Sequence, residues 1–176
     1  MLPRAGITGR FQPFHIGHLE LLNIALAEAE IVFIGITNPD PASWKPNASS
    51  AHRHQPESNP FTYWERQIMI QSALEYKGLQ DRCHIVPFPL DRPKAWSSYI
   101  PLDAVQFVRV FTNWEADKVQ ILQTGGYPVR VIEGDALHAV RATDIRLAWL
   151  KGDEAAWRPL LPDGVASGLP MRMSTT

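Results

Sequence analysis

The amino-acid sequence predicts a parallel, doubly wound α/β sheet built as a single domain, residues 1–176. Three observations carry this expectation. Strand-like apolar runs alternate with stretches of helical period. One run, Ile31–Thr37, is continuously β-rich, as strands buried on both faces of a parallel sheet are. The first run ends in a turn bounded by Gly9 and Gly17 that opens a helix. With 176 residues, 45 % apolar and 20 % charged, the chain can bury a sizeable core without a disulfide or metal staple.

Residues 4–8 read as the first strand. Residues 17–29 carry apolar side chains at Leu19, Leu22, Leu26 and Ala29, a helical period. After the second strand, Asn38–Pro60 holds five of the fifteen prolines, and so long a structureless stretch suggests a lid or a mobile loop. Thr62 and Glu65 form a capping box for a helix ending at Tyr76 or Lys77, with Gly78 suited to a left-handed cap. Strand signals follow at Cys83–Pro87, Phe107–Thr112 and Val129–Ile132, with a helix over Glu115–Thr124 closed by Gly125-Gly126. A helix over Thr143–Lys151, a short helical piece around Glu154–Leu160 and a tail over 162–176 expected to fray complete the chain. The pattern is Rossmann-like: about five strands in the order 3-2-1-4-5, with helices on both faces.

Composition excludes several classes. Seventeen Lys and Arg against eighteen Asp and Glu give a net charge of −1, so no global basic field draws in nucleic acid or acidic lipid. The longest apolar run, Ile31–Ile36, is far short of a membrane span, and the N-terminus lacks the apolar core of a signal peptide. One cysteine, Cys83, suits a reducing compartment. Together these predict a soluble cytoplasmic domain. Gly35 and the apolar helix faces fit a monomer or a homo-oligomer.

The chemistry concentrates in Gly9-Arg10-Phe11-Gln12-Pro13-Phe14-His15-Ile16-Gly17-His18. This stretch joins strand one to helix one, where backbone N–H groups and the helix dipole favour an anion. His15 and His18 lie three apart on one face of the first turn, and with Arg10 they form a donor cluster suited to a polyphosphate. Neither a Walker loop nor a dinucleotide fingerprint is present. A zinc site would want three or four ligands, and the other nearby histidines, His52 and His54, lie in the proline-rich segment. The plain alternative is that the two histidines only cap the helix.

These residues resemble the HxGH nucleotidyltransferases, and most of all the archaeal-type nicotinamide mononucleotide adenylyltransferases, over roughly residues 5–165. Asn59-Pro60-Phe61-Thr62-Tyr63-Trp64-Glu65-Arg66 is similar to that family's Asn-Pro-Phe-Thr-x-x-Glu-Arg segment. Val86-Pro87 resembles its third strand end, Phe111-Thr112-Asn113 its Phe-Thr-Gly-Asn, and Ala142-Thr143-Asp144-Ile145-Arg146 its Ser-Ala-Thr-Glu-Ile-Arg signature. The resemblance implies attack by an acceptor phosphate oxygen on the α-phosphorus of a nucleoside triphosphate, releasing pyrophosphate without a covalent enzyme intermediate. Such catalysis rests on positioning and charge stabilisation.

By the same resemblance, His15 and His18 are expected to bind the triphosphate and the charge developing in the transition state, with Arg10 and Arg146 as phosphate clamps. Thr8, Gly9, Phe11, Gly17, Asn113, Arg141 and Thr143 complete the nucleotide side, and Thr143 also suits a plain N-cap. Trp96, Arg66, Lys45 and Arg53 are expected on the acceptor side, with Trp96 either stacking on the acceptor or lying in the core. Magnesium should arrive with the triphosphate, held by phosphates and water rather than by protein ligands.

Three departures from the family bear on substrate. Ser58 stands where a basic residue often precedes the Asn-Pro-Phe-Thr segment, Arg141 replaces a small residue, and Asn113 follows Thr112 without the usual glycine. Trp96 follows Asp91-Arg92-Pro93 at a shorter spacing, and Asn38–Pro60 is enlarged. The first reading is adenylyl transfer from ATP to nicotinamide mononucleotide, giving NAD. The second is cytidylyl transfer from CTP to a small phosphate or phosphonate. A non-catalytic nucleotide sensor is the rival from another class, and a tRNA synthetase fragment lacks both a basic RNA surface and the lysines of its second signature.

Overall fold

The computed structural model describes residues 1–46 and 54–169. Five strands form one all-parallel sheet, β1 (Leu2–Gly9), β2 (Ala29–Ile36), β3 (Cys83–Pro87), β4 (Val105–Val110) and β5 (Val129–Glu133), in the order β3-β2-β1-β4-β5. The fold class and strand order are those the sequence predicts.

Side-chain alternation along the strands divides the interior into two cores. Ala5, Ile7, Val32, Ile34, Ile36 and Phe107 face a core shared with α1 (Ile16–Glu28) and α2 (Tyr63–Lys77). Val108 turns the other way, toward Val119 and Leu122 of α3 (Asn113–Thr124) and the Phe88–Trp96–Tyr127 aromatic group. The helices α4 (Ala142–Leu150), α5 (Glu154–Trp157) and α6 (Val165–Gly168) close the first core through Ile145, Trp157 and Val165.

The element ends differ where pairing, not hydropathy, decides them. β1 starts at Leu2, because Leu2 and Arg4 pair with Ala29 and Ile31 although Pro3 and Arg4 are exposed. β4 stops at Val110, because Thr112 leaves the strand to cap α3: its hydroxyl accepts from Trp114, while Glu115 accepts from the Thr112 N–H at 2.9 Å. That second capping box starts α3 two residues before the predicted Glu115. At α2 the predicted box is present, and Gly78 closes the helix at φ 66°.

The segment 38–60 is not structureless in its described parts. It forms short 3-10 turns at Pro41–Ser43 and Pro56–Ser58, and Ser43, Ser58 and Asn59 are buried. The tail expected to fray from residue 162 packs onto α2 through residue 169, with Val165 fully buried. The remainder of that tail and Arg53 lie outside the described residues.

Candidate active site

β1 and β4 are neighbours over a short stretch only. Ala5 pairs with Val105 and Gly6 with Gln106, and beyond Gly6 the two strands part. Strand order reverses at this split, the place where doubly wound sheets hold their ligands. A cavity of about 950 Å³ opens there, at the carboxyl ends of the strands and against the first turns of α1, α3 and α4.

The β1–α1 turn forms one wall and is tied down at three points. The Gln12 side-chain amide pairs with both the N–H and the carbonyl of Phe61, at 3.0 Å each. The Arg66 guanidinium donates to the Arg10 carbonyl at 2.9 Å, and that of Arg146 to the Gln12 carbonyl at 2.7 Å. Phe11 sits at φ 52°, a conformation costing a non-glycine residue about 1 kcal/mol. Its buried ring is held edge-on to His18 at 4.9 Å and against Phe14 at 5.5 Å. A Cβ on Gly9 would meet that ring at 2.8 Å, so glycine is needed there for close approach.

His15 occupies the N-cap of α1, and its ring stacks on that of His18 with centroids 3.6 Å apart. The His15 backbone N–H donates to His18 Nδ1 at 3.2 Å. The capping role and the ligand role are therefore compatible: an accepting Nδ1 leaves the proton on Nε2, which can donate to a ligand. Burial pulls the His15 imidazole down to about 3. Burial, then the neighbouring charges of His15, Lys118 and Arg109, hold His18 well below its ordinary value. Both rings are neutral donors at physiological pH. Thr8 Oγ1 and His15 Nδ1 are buried without a hydrogen-bond partner, as groups awaiting a ligand are.

Thr8, Gly9, Arg10, Phe11, Gly17, Arg141 and Thr143 line the cavity together with the two histidines. Arg141, rather than Thr143, holds the N-cap position of α4, and its side chain makes no hydrogen bond to that first turn. Five expected residues are placed elsewhere. Asn113 is exposed and outside the cavity lining, where Thr112, Trp114 and Glu115 stand instead. Trp96 is a core residue, 1 % exposed, stacked on Phe88 at 5.1 Å with its indole N–H donating to the Pro89 carbonyl at 2.7 Å.

Arg66 is also buried, and burial pulls its guanidinium down to about 10. It donates to the carbonyls of Arg10, Thr37 and Asn38, which makes it a fastener of the turns rather than an acceptor ligand. Arg146 is likewise turned to the Gln12 carbonyl and to the Thr143 hydroxyl, at 3.3 Å, instead of lining the cavity. Lys45 is exposed and away from the cavity.

Sequence reasoning missed Arg109, Trp114 and Lys118, all of which line the cavity. Arg109 is paired with Glu20 at 2.9 Å. Lys118 had a legible signal, for it lies four residues before Leu122 and next to Val119 on the buried face of α3. Among the described residues no group of three or more His, Cys, Asp or Glu side chains could hold a metal ion, and no helix is long and apolar enough to cross a membrane.

Similarity to known proteins identifies the family. The chain is 36 % identical over 161 residues to a phosphonoformate cytidylyltransferase of Streptomyces viridochromogenes, covering 91 % of this chain and 86 % of that one. It is 32 % identical over 167 residues to a nicotinamide-nucleotide adenylyltransferase of Thermococcus onnurineus, covering 94 % and 81 %. A solved bifunctional NMN adenylyltransferase/ADP ribose pyrophosphatase from Francisella tularensis shares the fold, with a TM-score of 0.62 at 23 % identity; the match covers 86 % of this chain and 43 % of that longer protein. A family model described as cytidylyltransferase-like matches residues 7–148, which span the cavity from Thr8 through Asp144. The chain belongs to that family, and it is a nucleotidyltransferase.

Proposed function

We propose that the enzyme transfers the cytidylyl group of CTP to a compact phosphonate or phosphate and releases pyrophosphate. An acceptor oxygen attacks the α-phosphorus; the new P–O bond forms as the bond to the bridging oxygen of the β-phosphate breaks, and the electron pair leaves with pyrophosphate. An anionic acceptor needs no base, which suits two imidazoles held neutral as donors. Arg10, Arg141 and the first turn of α4 are the phosphate contacts in this reading.

The observation that carries the acceptor is the burial of Trp96. With that indole sealed beneath Pro89, it offers no wall on which a nicotinamide could stack. Arg66 is occupied as well, and Arg141 in the cavity lining suits a small, highly charged group. The 36 % identity to a phosphonoformate cytidylyltransferase agrees. Adenylyl transfer to nicotinamide mononucleotide is the second reading, favoured by the nicotinamide-nucleotide adenylyltransferases at 30–34 % identity over most of the chain.

Magnesium fits as a companion of the triphosphate. The lining carboxylates Glu20, Glu115, Glu133, Asp135 and Asp144 do not gather into a protein cage among the described residues, so phosphate oxygens would hold the ion, and its chemistry there is to neutralise triphosphate charge. Arg10 of the cavity lining also donates to the Ser58 carbonyl at 3.1 Å, which ties the turn Pro56–Ser58 to that wall. Incubation with each of the four nucleoside triphosphates, Mg²⁺ and either phosphonoformate or nicotinamide mononucleotide, following pyrophosphate, tests the reading. CTP with phosphonoformate is the expected pair. Activity with ATP and nicotinamide mononucleotide alone would overturn it, and silence with every pair would favour a sensor.

A further inference from the structure

We propose that Arg109 is a phosphate ligand of the bound nucleotide, held by Glu20 until a triphosphate oxygen displaces that carboxylate. The inference rests on nucleotidyl transfer and deepens it on the donor side, whichever base and acceptor are used. Strand alternation sets the geometry. Phe107 of β4 faces the core shared with α1, and Val108 faces the other core. Arg109 therefore turns to the α1 side, beyond Phe107 toward the carboxyl end, where β1 and β4 have parted. There it meets Glu20 of α1, with Nη1 donating to the carboxylate at 2.9 Å, and both residues line the cavity together with Gly17 and His18.

The pair is built for exchange. The Arg109 side chain is 16 % exposed and that of Glu20 63 %, so the carboxylate is the solvated, readily released partner. An ion pair with so open a member is worth little, whereas a guanidinium grips phosphate with a bidentate, charge-assisted fork. Among the described residues no other group accepts from Arg109, which leaves Nε and Nη2 for a ligand. The guanidinium also lies close enough to His18 to lower its proton affinity, which puts it beside a donor of the proposed mechanism. A triphosphate repels Glu20 as it attracts Arg109, so substrate entry favours the exchange from both sides. Arg10, Arg141 and Lys118 line the same cavity, and Arg109 adds to them rather than replacing them.

The test is a double-mutant cycle of Arg109→Gln, Glu20→Gln and the two together. Titration calorimetry with CTP and with ATP gives Kd, and thermal melting reports the fold. Arg109→Gln should weaken the nucleotide about tenfold or more, the size of one charge-assisted bond. Glu20→Gln should tighten it about threefold, because Arg109 no longer has to leave a partner. In the Arg109→Gln background that gain should fall below about 1.5-fold. An Arg109→Gln Kd within about twofold of wild type, no gain from Glu20→Gln, or an equal gain in both backgrounds overturns the proposal; the last is the mark of a general field rather than an exchange. If Arg109→Gln does not fold, Arg109→Lys, which keeps the charge and loses the planar fork, enters the same cycle under the same criteria. Binding of ATP in place of CTP would overturn the cytidylyl reading, while the cycle run with ATP still decides Arg109. Should neither nucleotide bind, titration with inorganic tripolyphosphate carries the cycle, and its outcome decides Arg109.

Discussion

Arg66→Met separates a fastener from a ligand. The guanidinium donates to the carbonyls of Arg10, Thr37 and Asn38 at 2.8–2.9 Å, and its Nε to that of Thr62 at 3.1 Å. The Thr62 carbonyl keeps a partner in the variant, because the Arg66 backbone N–H also donates to it. The other three lose this donor, at roughly 1–3 kcal/mol where a buried acceptor such as the Thr37 carbonyl is left unsatisfied. Solvent reaches the part-buried Arg10 and Asn38 carbonyls, and removing a buried cation returns some desolvation energy, so the expected loss is about 3–5 kcal/mol. For a chain of this size that corresponds to a Tm lower by about 10–15 °C. Urea and thermal melts measure the loss, and pyrophosphate release across an acceptor series, run well below the lowered Tm, measures KM. The reasoning is refuted if Tm stays within about 2 °C of wild type while the acceptor KM rises tenfold or more, the signature of a ligand-binding arginine.

Three further outcomes are expected. His15 takes up a proton near pH 6.5 in the unfolded chain but only near 3 in the folded one, so below pH 6.5 the unfolded state holds more protons and stability falls. Urea melts at pH 7.5 and 5 should differ by about 2 kcal/mol from His15 alone, with His18 adding in the same direction, and a flat profile would contradict the buried neutral rings. His18→Ala should lower kcat by about 10²–10³ through loss of the Nε2 donor, and near-normal turnover would remove it from the mechanism. Trp96→Ala should cost about 3–5 kcal/mol in urea melts and leave the acceptor KM unchanged in the folded enzyme, whereas a raised KM at unchanged stability would restore it to the site.

The fold was legible because buried parallel strands read as apolar runs, and Gly9–His18 was legible because few other jobs call for two histidines, an arginine and two glycines after a strand. What sequence could not reveal is where each donor is spent. Arg10, Arg66 and Arg146 look alike in a motif, yet Arg66 is spent on three carbonyls and Arg146 on Gln12, while Arg10 lines the cavity. Trp96 carried no sign of its burial beyond a shortened spacing, and Lys118 became visible only through its place on the apolar face of α3.

A common design explains both the successes and the misses. Arg10, Arg66, Arg146 and Lys118 each donate to a backbone carbonyl, of Ser58, Thr37, Gln12 and Thr8 respectively. A carbonyl orients a cation without cancelling its charge, as a carboxylate would. The surface pairs Arg4–Asp103 and Arg158–Glu154, in contrast, neutralise themselves. A chain of net charge −1 can thus keep positive charge beside one crevice where carbonyls hold the guanidinium, as they do for Arg66 and Arg146, even though Arg109 in the lining is paired with Glu20. Only the topology that brings carbonyl and cation together, across as many as 134 residues for Arg146 and Gln12, reveals which choice was made.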